Sequence, residues 1–437
     1  MASRYSIGST ADPRSRLGDR LYDRHGREHR LLRVTVAHRC AGLASSLKLR
    51  AMATPRERSR NLVRLAAALQ LWSALGVLNL VACKPADQPI VIGLAGPFSL
   101  QSGQSMQLAA QLAVAEINQR GGIDGRQIQL AVRDDSGSVG LALRVARSFY
   151  DSPDVAAVIG HMGSAETLAA ARVYNSGDNP VVSISPSASS PDISDAGPYT
   201  FRVCPDDGVH AAQLADWAYR RLGARRVAVL YENDAYGRGL RTAFRNSFTE
   251  LGGRIVSEDP FSPALPGFEP YLTRIRLRGG ADALLLAGAL DGAERMLRTL
   301  NNLQSNQTVL GGDGIGGIEA AQVDAEGVFV SLAYLHDQPG PRNEAFTSAY
   351  RRMYGEQPPD HRGAGAYDIV YLLSRVIDQV GPDRSRIRDY LAGLGTETEP
   401  FEGVTGSIGF DRNRNVVDRN VVIAVVRDKR LVSAERR

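Results

Sequence analysis

The 437-residue sequence predicts an α/β protein built from two doubly wound parallel-sheet lobes. Two observations carry that prediction. Short apolar runs alternate with amphipathic stretches of about ten to fifteen residues, the pattern of parallel sheets made from right-handed βαβ units. The alternation ends near residues 201–210 and restarts with a fresh strand at Arg226, and the chain exceeds one compact core at roughly 150 residues per domain.

The elements follow in order. Residues 1–51 are Arg-rich without an apolar period and read as a doubtful or disordered extension, with Met52 as the expected true start. Residues 52–83 read as an export signal, because Arg56, Arg58, Arg60 and Arg64 precede the uncharged, mostly apolar run at 65–82. Its closing Leu80-Val81-Ala82-Cys83 resembles the bacterial lipobox, which implies lipidation at Cys83. A membrane-spanning anchor is the alternative for the same run; in either case the body is exported. Residues 84–88 form a tether. Strands are predicted at 91–95, 128–132, 155–160, 180–184, 226–231, 254–258, 283–287, 308–310 and 327–330. Helices are predicted at 104–118, 141–150, 166–174, 209–222, 239–251, 271–278 and 292–303. Residues 341–395 are helical again, with Tyr367, Ile369, Leu372, Leu373 and Val376 on one stripe, and residues 406–426 read as two strands around a polar turn at 411–415.

Charge excludes one class of partner. The 52 Lys+Arg against 47 Asp+Glu give a net +5, but residues 1–83 alone carry +10, which leaves the body at −5. An acidic body has no electrostatic footprint for phosphate backbones, so no nucleic acid is expected. Cys40 and Cys83 lie upstream of the body, so Cys204 has no partner for an internal disulfide and reads as a small buried side chain.

Enzyme signatures are missing. There is no G-x-x-x-x-G-K-[ST], H-E-x-x-H, G-x-S-x-G or C-x-x-C. Gly312-Asp313-Gly314-Ile315-Gly316-Gly317 matches G-x-G-x-x-G without a clear helix or acidic ribose partner after it, and His residues outside the extension lack metal-ligand spacing. No catalysis, cofactor or metal is expected. What remains is small polar residues at strand ends, around Ser164 and within 183–190. Such turns lie where open α/β sheets bind ligands, and free amides with hydroxyls at a helix start favour an anion. The competing reading is that Ser164 and Ser190 only cap helices, with Pro191 at a first helical position.

Several motifs carry a resemblance. They are Ile92-Gly93-Leu94-Ala95-Gly96-Pro97-Phe98-Ser99, the run at 115–126, Val158-Ile159-Gly160-His161, Ser185-Pro186-Ser187-Ala188-Ser189, Phe201-Arg202 and the run at 233–240. In this order they resemble the periplasmic leucine/isoleucine/valine-binding protein family, the type I periplasmic binding proteins of ABC transporters, over residues 90–426. The resemblance implies three crossovers at a hinge, with lobe 1 at 89–204 and 335–415 and lobe 2 at 205–334 and 416–437. It also implies a ligand closed between the lobes. Ser164 and Ser189 would meet a ligand carboxylate, Ser187 would contribute backbone groups, Asp313 would pair with an ammonium, and Tyr236 would cover the ligand. Ser102 and Ala289 stand where the family has aromatics, and Ser136 and Gly163 where it has a first-lobe disulfide.

The expectation is therefore a lipid-anchored, monomeric solute-binding protein of the cell envelope. It would capture an amino acid, branched-chain-like or a related small polar ligand, by hinge closure and deliver it to an ABC permease and its ATPase. The alternative is a sensory receptor of the same fold that passes closure to a partner protein.

Overall fold

The runs VAAVI and ALLLA are buried along their whole length, which only a sheet covered on both faces provides. The computed structural model describes residues 88–355 and 358–435. The expectations for the extension, the signal and Cys83 lie outside the described residues. Among the described residues, no helix is long and apolar enough to cross a membrane.

Lobe 1 begins with β1 (Ile90–Gly96), α1 (Gln101–Gln119), β2 (Ile128–Asp134), α2 (Val139–Tyr150), β3 (Val155–Ile159), α3 (Ser164–Tyr174), β4 (Val182–Ser185) and β5 (Thr200–Arg202). Its sheet runs β2-β1-β3-β4-β5 and is parallel throughout. Lobe 2 takes α4 (Asp207–Asp216), β6 (Arg226–Glu232), α5 (Ala235–Glu250), β7 (Arg254–Phe261), α6 (Glu269–Leu277), β8 (Ala283–Ala287), α7 (Leu290–Asn302), β9 (Thr308–Gly311) and β10 (Phe329–Leu332). The chain returns to lobe 1 as α8 (Pro341–Tyr354), α9 (His361–Val380), α10 (Arg384–Ala392), β11 (Phe401–Glu402) and β12 (Ser407–Ile408). It closes in lobe 2 as β13 (Val422–Arg427) and β14 (Arg430–Ser433), giving the sheet β14-β13-β10-β9-β8-β6-β7.

Three details differ from the sequence reading. Residues 406–426 are not one hairpin: β12 pairs with β11, while β13 pairs antiparallel with β10 and β14, so the second sheet is mixed. An apolar run such as VIAVV carries no direction in its pattern, and the sheet edge it joins decides its sense. Residues 191–195 form a 3-10 turn rather than an α-helix. Val416, expected with lobe 2, packs in the first core beside Phe410.

Helices cover both faces of each sheet. In lobe 1, α1 and α9 pack on one face through Met106, Ala113, Ile369 and Leu373, and Val145, Phe149 and Tyr174 cover the other. In lobe 2, Met296 and Leu300 lie on one face and Phe244 and Phe248 on the other. Arg384 binds the return segment to lobe 1. It is buried and donates to the carbonyls of Phe149, Tyr150, Ser152, Val155 and Asn179, the bond to Val155 being 2.9 Å. Replacing it leaves several buried acceptors unmatched, so Arg384→Met is expected to lower unfolding free energy by about 3 kcal/mol in urea titration.

Candidate ligand-binding site

The carboxyl ends of β3 and β4 form the lobe 1 rim. α3 starts at Ser164, yet neither Ser164 nor Ser190 makes a side-chain cap bond, so capping does not explain them. Ser164 Oγ accepts from the Ser190 amide at 3.1 Å and keeps its own proton free to donate. Ser187 Oγ donates to the Met162 carbonyl at 2.9 Å. The hydroxyls of Ser189 and Ser190 are buried without a partner.

A buried pair frames this rim. His161 Nδ1 lies 2.6 Å from Asp135 Oδ2 and its Nε2 lies 3.2 Å from the Tyr174 hydroxyl. The His161 carbonyl accepts from Ser185 Oγ at 2.6 Å and Thr167 Oγ1 at 3.1 Å. The loops after β2, β3 and β4 are thereby tied beside Ser136 and Gly163, where the resemblance implies a disulfide in other members.

Lobe 2 supplies the facing rim. Asp313 is buried and opens a 3-10 turn after β9. Tyr236 lies in the first turn of α5, whose N-cap Asp234 accepts from the Gly237 amide at 2.7 Å. The Tyr236 ring sits against Gly312 and Gly314, where any Cβ would run into the phenol. Its hydroxyl accepts from the Gly314 amide at 2.9 Å. Burial, then Asp313 and Asp207, push this hydroxyl well above its ordinary pKa, so it remains protonated.

Asp207, His210, His361 and Arg362 also reach the site and were not singled out from the sequence. Each follows an acidic N-cap: Asp206 accepts from Val209, and Asp360 from Arg362 and Gly363. Asp-Asp and Asp-His at helix starts look like capping in sequence. His210 Nε2 on α4 and His361 Nε2 on α9 each lie 3.9 Å from Asp313 Oδ2, and both nitrogens are buried without a hydrogen-bond partner. His210 Nδ1 is 2.9 Å from Ser331 Oγ. Burial lowers both imidazoles, and with Arg362 beside it His361 falls to about 4. Burial and Asp313 push the Asp207 carboxyl well above the carboxylate range.

The lobes meet in a closed arrangement. Arg362, on α9 of lobe 1, donates to the lobe 2 carbonyls of Asp313 at 3.2 Å, Gly314 at 3.3 Å and Gly316 at 3.3 Å, while pairing with Asp360 at 2.8 Å. The site residues converge from both rims: the Asp207 amide donates to the Ser189 carbonyl at 2.8 Å, and its carboxyl lies near Ser190 Oγ and Asp313. Ala289 is exposed at the start of α7, its amide donating to Glu232 Oε2 at 3.2 Å.

The sequence profile of the periplasmic binding proteins matches residues 89–430. The chain belongs to that family. It is 29% identical over 349 residues to an amino acid binding protein of Pseudomonas aeruginosa, covering 78% of this chain and 91% of the relative. A Desulfitobacterium hafniense substrate-binding protein in complex with Leu superposes with a TM-score of 0.68 at 30% identity, covering 79% of this chain and all of that one. The LivJ protein of Streptococcus pneumoniae in complex with isoleucine gives 0.71 at 27% identity, covering 79% and 98%. Membership makes this chain an extracytoplasmic solute-binding protein of an ABC importer; the family binds solutes rather than transforming them.

One imidazole gives a pH test. His361 titrates at about 4 in the folded protein against 6.5 in a free imidazole, so the unfolded chain takes up the proton first on acidification. Stability from this group is intact above pH 6.5 and is lost between about 6.5 and about 4, by about 3 kcal/mol in all. His361→Gln is expected to flatten the fall in urea midpoint across that window relative to the parent.

Proposed function

We propose that the ligand is an amino acid held as a zwitterion between the rims. Asp313, a carboxylate only 3% exposed, neighbours Asp207, which borders the unpartnered Ser190 hydroxyl of the opposite lobe, and this arrangement carries the reading. The ammonium pairs with Asp313. The carboxylate takes the protons of Ser164 and Ser189, the Ser187 backbone lines the head group, and Tyr236 covers it. A zwitterion leaving water needs a partner for each charge, and each charge-assisted bond contributes about 1.5 to 3 kcal/mol. The amino acid ligands named for the Desulfitobacterium and Streptococcus proteins support the same chemistry. Ala289 in place of an aromatic makes the side-chain end wider and wetter than in a leucine site.

Closure is the mechanism. The ligand touches both lobes only when they are shut, so it stabilises the shut state by its differential affinity for it. The closed monomer then docks on a membrane permease whose separate ATPase drives import, with Cys83 lipidation holding the protein at the membrane.

Thermal unfolding of the full chain, stripped of carried ligand, tests the site. An amino acid at 100 times its dissociation constant is expected to stabilise the fold by about 2.7 kcal/mol. Asp313→Ala is expected to weaken binding at least tenfold, by roughly 1.5 kcal/mol or more; equal shifts with carboxylates lacking an ammonium would remove Asp313 from the site. Cys83→Ser is expected to move the protein from the membrane to the soluble fraction on cell fractionation.

A further inference from the structure

The closed site contains more acidic groups than the single ammonium of a zwitterion can match. Asp207 is fully buried, and neither carboxylate oxygen has a hydrogen-bond partner. It lies against Ser190 Oγ, Pro191 and Gly239, where the lobe 1 turn at 191–195 meets α5 of lobe 2. Asp313 is close enough to raise it electrostatically. The nearby guanidiniums are already engaged. Arg362 pairs with Asp360 at 2.8 Å. Arg202 pairs with Asp206 at 3.7 Å and donates to the Ser190 carbonyl at 2.7 Å, Asn415 Oδ1 at 2.9 Å and Ser194 Oγ at 3.0 Å. The remaining basic groups, His210 and His361, are kept neutral by burial, and their free Nε2 atoms point at Asp313.

Among the described residues, Asp207 and Asp313 are therefore two buried acids with no arginine or lysine in a salt bridge to them, Arg202 reaching Asp207 only through its field, and they are accompanied by the unpartnered groups of Ser189, Ser190, His210 and His361. An aliphatic amino acid brings one ammonium, and its carboxylate adds a further negative charge. The approach is acidic too. Burial raises the Glu166 carboxyl of lobe 1, and so do Asp135 of the same lobe and then Asp234 and Glu232 of lobe 2. A cleft lined by one sign of charge concentrates the opposite sign.

Resting on the amino acid reading above, we infer that the preferred ligand is a basic amino acid, whose two cationic groups pair with Asp207 and Asp313. Anionic side chains are excluded by the same two acids.

Titration calorimetry of the stripped full chain at pH 7.5 with L-lysine, L-ornithine, L-glutamine and L-leucine decides it. Lysine or ornithine is expected to bind at least tenfold more tightly than leucine and glutamine. Asp207→Asn, shown to be folded by its melting curve, is expected to bring that ratio within about threefold. Leucine or glutamine binding as tightly as lysine overturns the inference and leaves the amino acid reading standing, as does uptake of a proton with a neutral amino acid, which would mean that Asp207 is neutralised by protonation. Binding of none of the four, with shifts from simple carboxylates instead, overturns the amino acid reading itself. The parent protein's panel decides between these outcomes whether or not the variant folds.

Discussion

A charge taken out of water must find a partner, and this requirement organises the molecule around its cleft. Three arginines meet it for the framework. Arg202 joins the loop after β4 to Asn415 on the third crossing, Arg362 joins the start of α9 to the loop carrying Asp313, and Arg384 joins α10 to four segments of lobe 1. A guanidinium offers five donors in a fixed plane, so one side chain satisfies carbonyls from segments far apart in sequence. The loops of the site are fixed by these groups and by the Asp135–His161 pair, leaving Ser189, Ser190, Asp207, His210 and His361 with unmatched polar atoms.

Those unmatched atoms give closure its energetic logic. With the lobes shut, Glu166 approaches Glu232 and Asp234, and Asp207 approaches Asp313. Like charges brought together in a drying cleft oppose the closed state until something bound between the lobes matches them. Arg362 acts in the other direction, since its bonds to three lobe 2 carbonyls require the lobes to meet.

Much of the fold was legible because buried parallel strands announce themselves. Val155–Ile159 and Ala283–Ala287 are continuous apolar runs bounded by polar or Gly-containing turns, and length alone separates them from helices. β5 was not legible: three residues, Thr200–Arg202, are too short for any period, and their place is fixed by pairing with β4. β13 was visible as a strand, but its antiparallel sense depends on a partner that periodicity does not name. At the site, Ser164, Ser187 and Ser189 stood out as small polar residues after apolar runs. Asp207 and His361 did not, because each sits one position past an acidic helix cap and only the folded chain shows that their neighbours face outward to the cap while they face the cleft. The Ser187 hydroxyl is donated to Met162, and the resemblance had called only on the backbone groups of that residue.

Both lobes are discontinuous. The first core is completed by Ile408, Phe410 and Val416, and the second by Ala424, Val426 and Leu431. During synthesis lobe 1 has all five strands of its sheet by Arg202 but waits for α9, Ile408, Phe410 and Val416 to complete its core, and lobe 2 waits for β13 and β14 to complete its sheet, so early collapse into a finished domain is denied to the nascent chain. The same interleaving that builds the hinge also acts as a timer on folding.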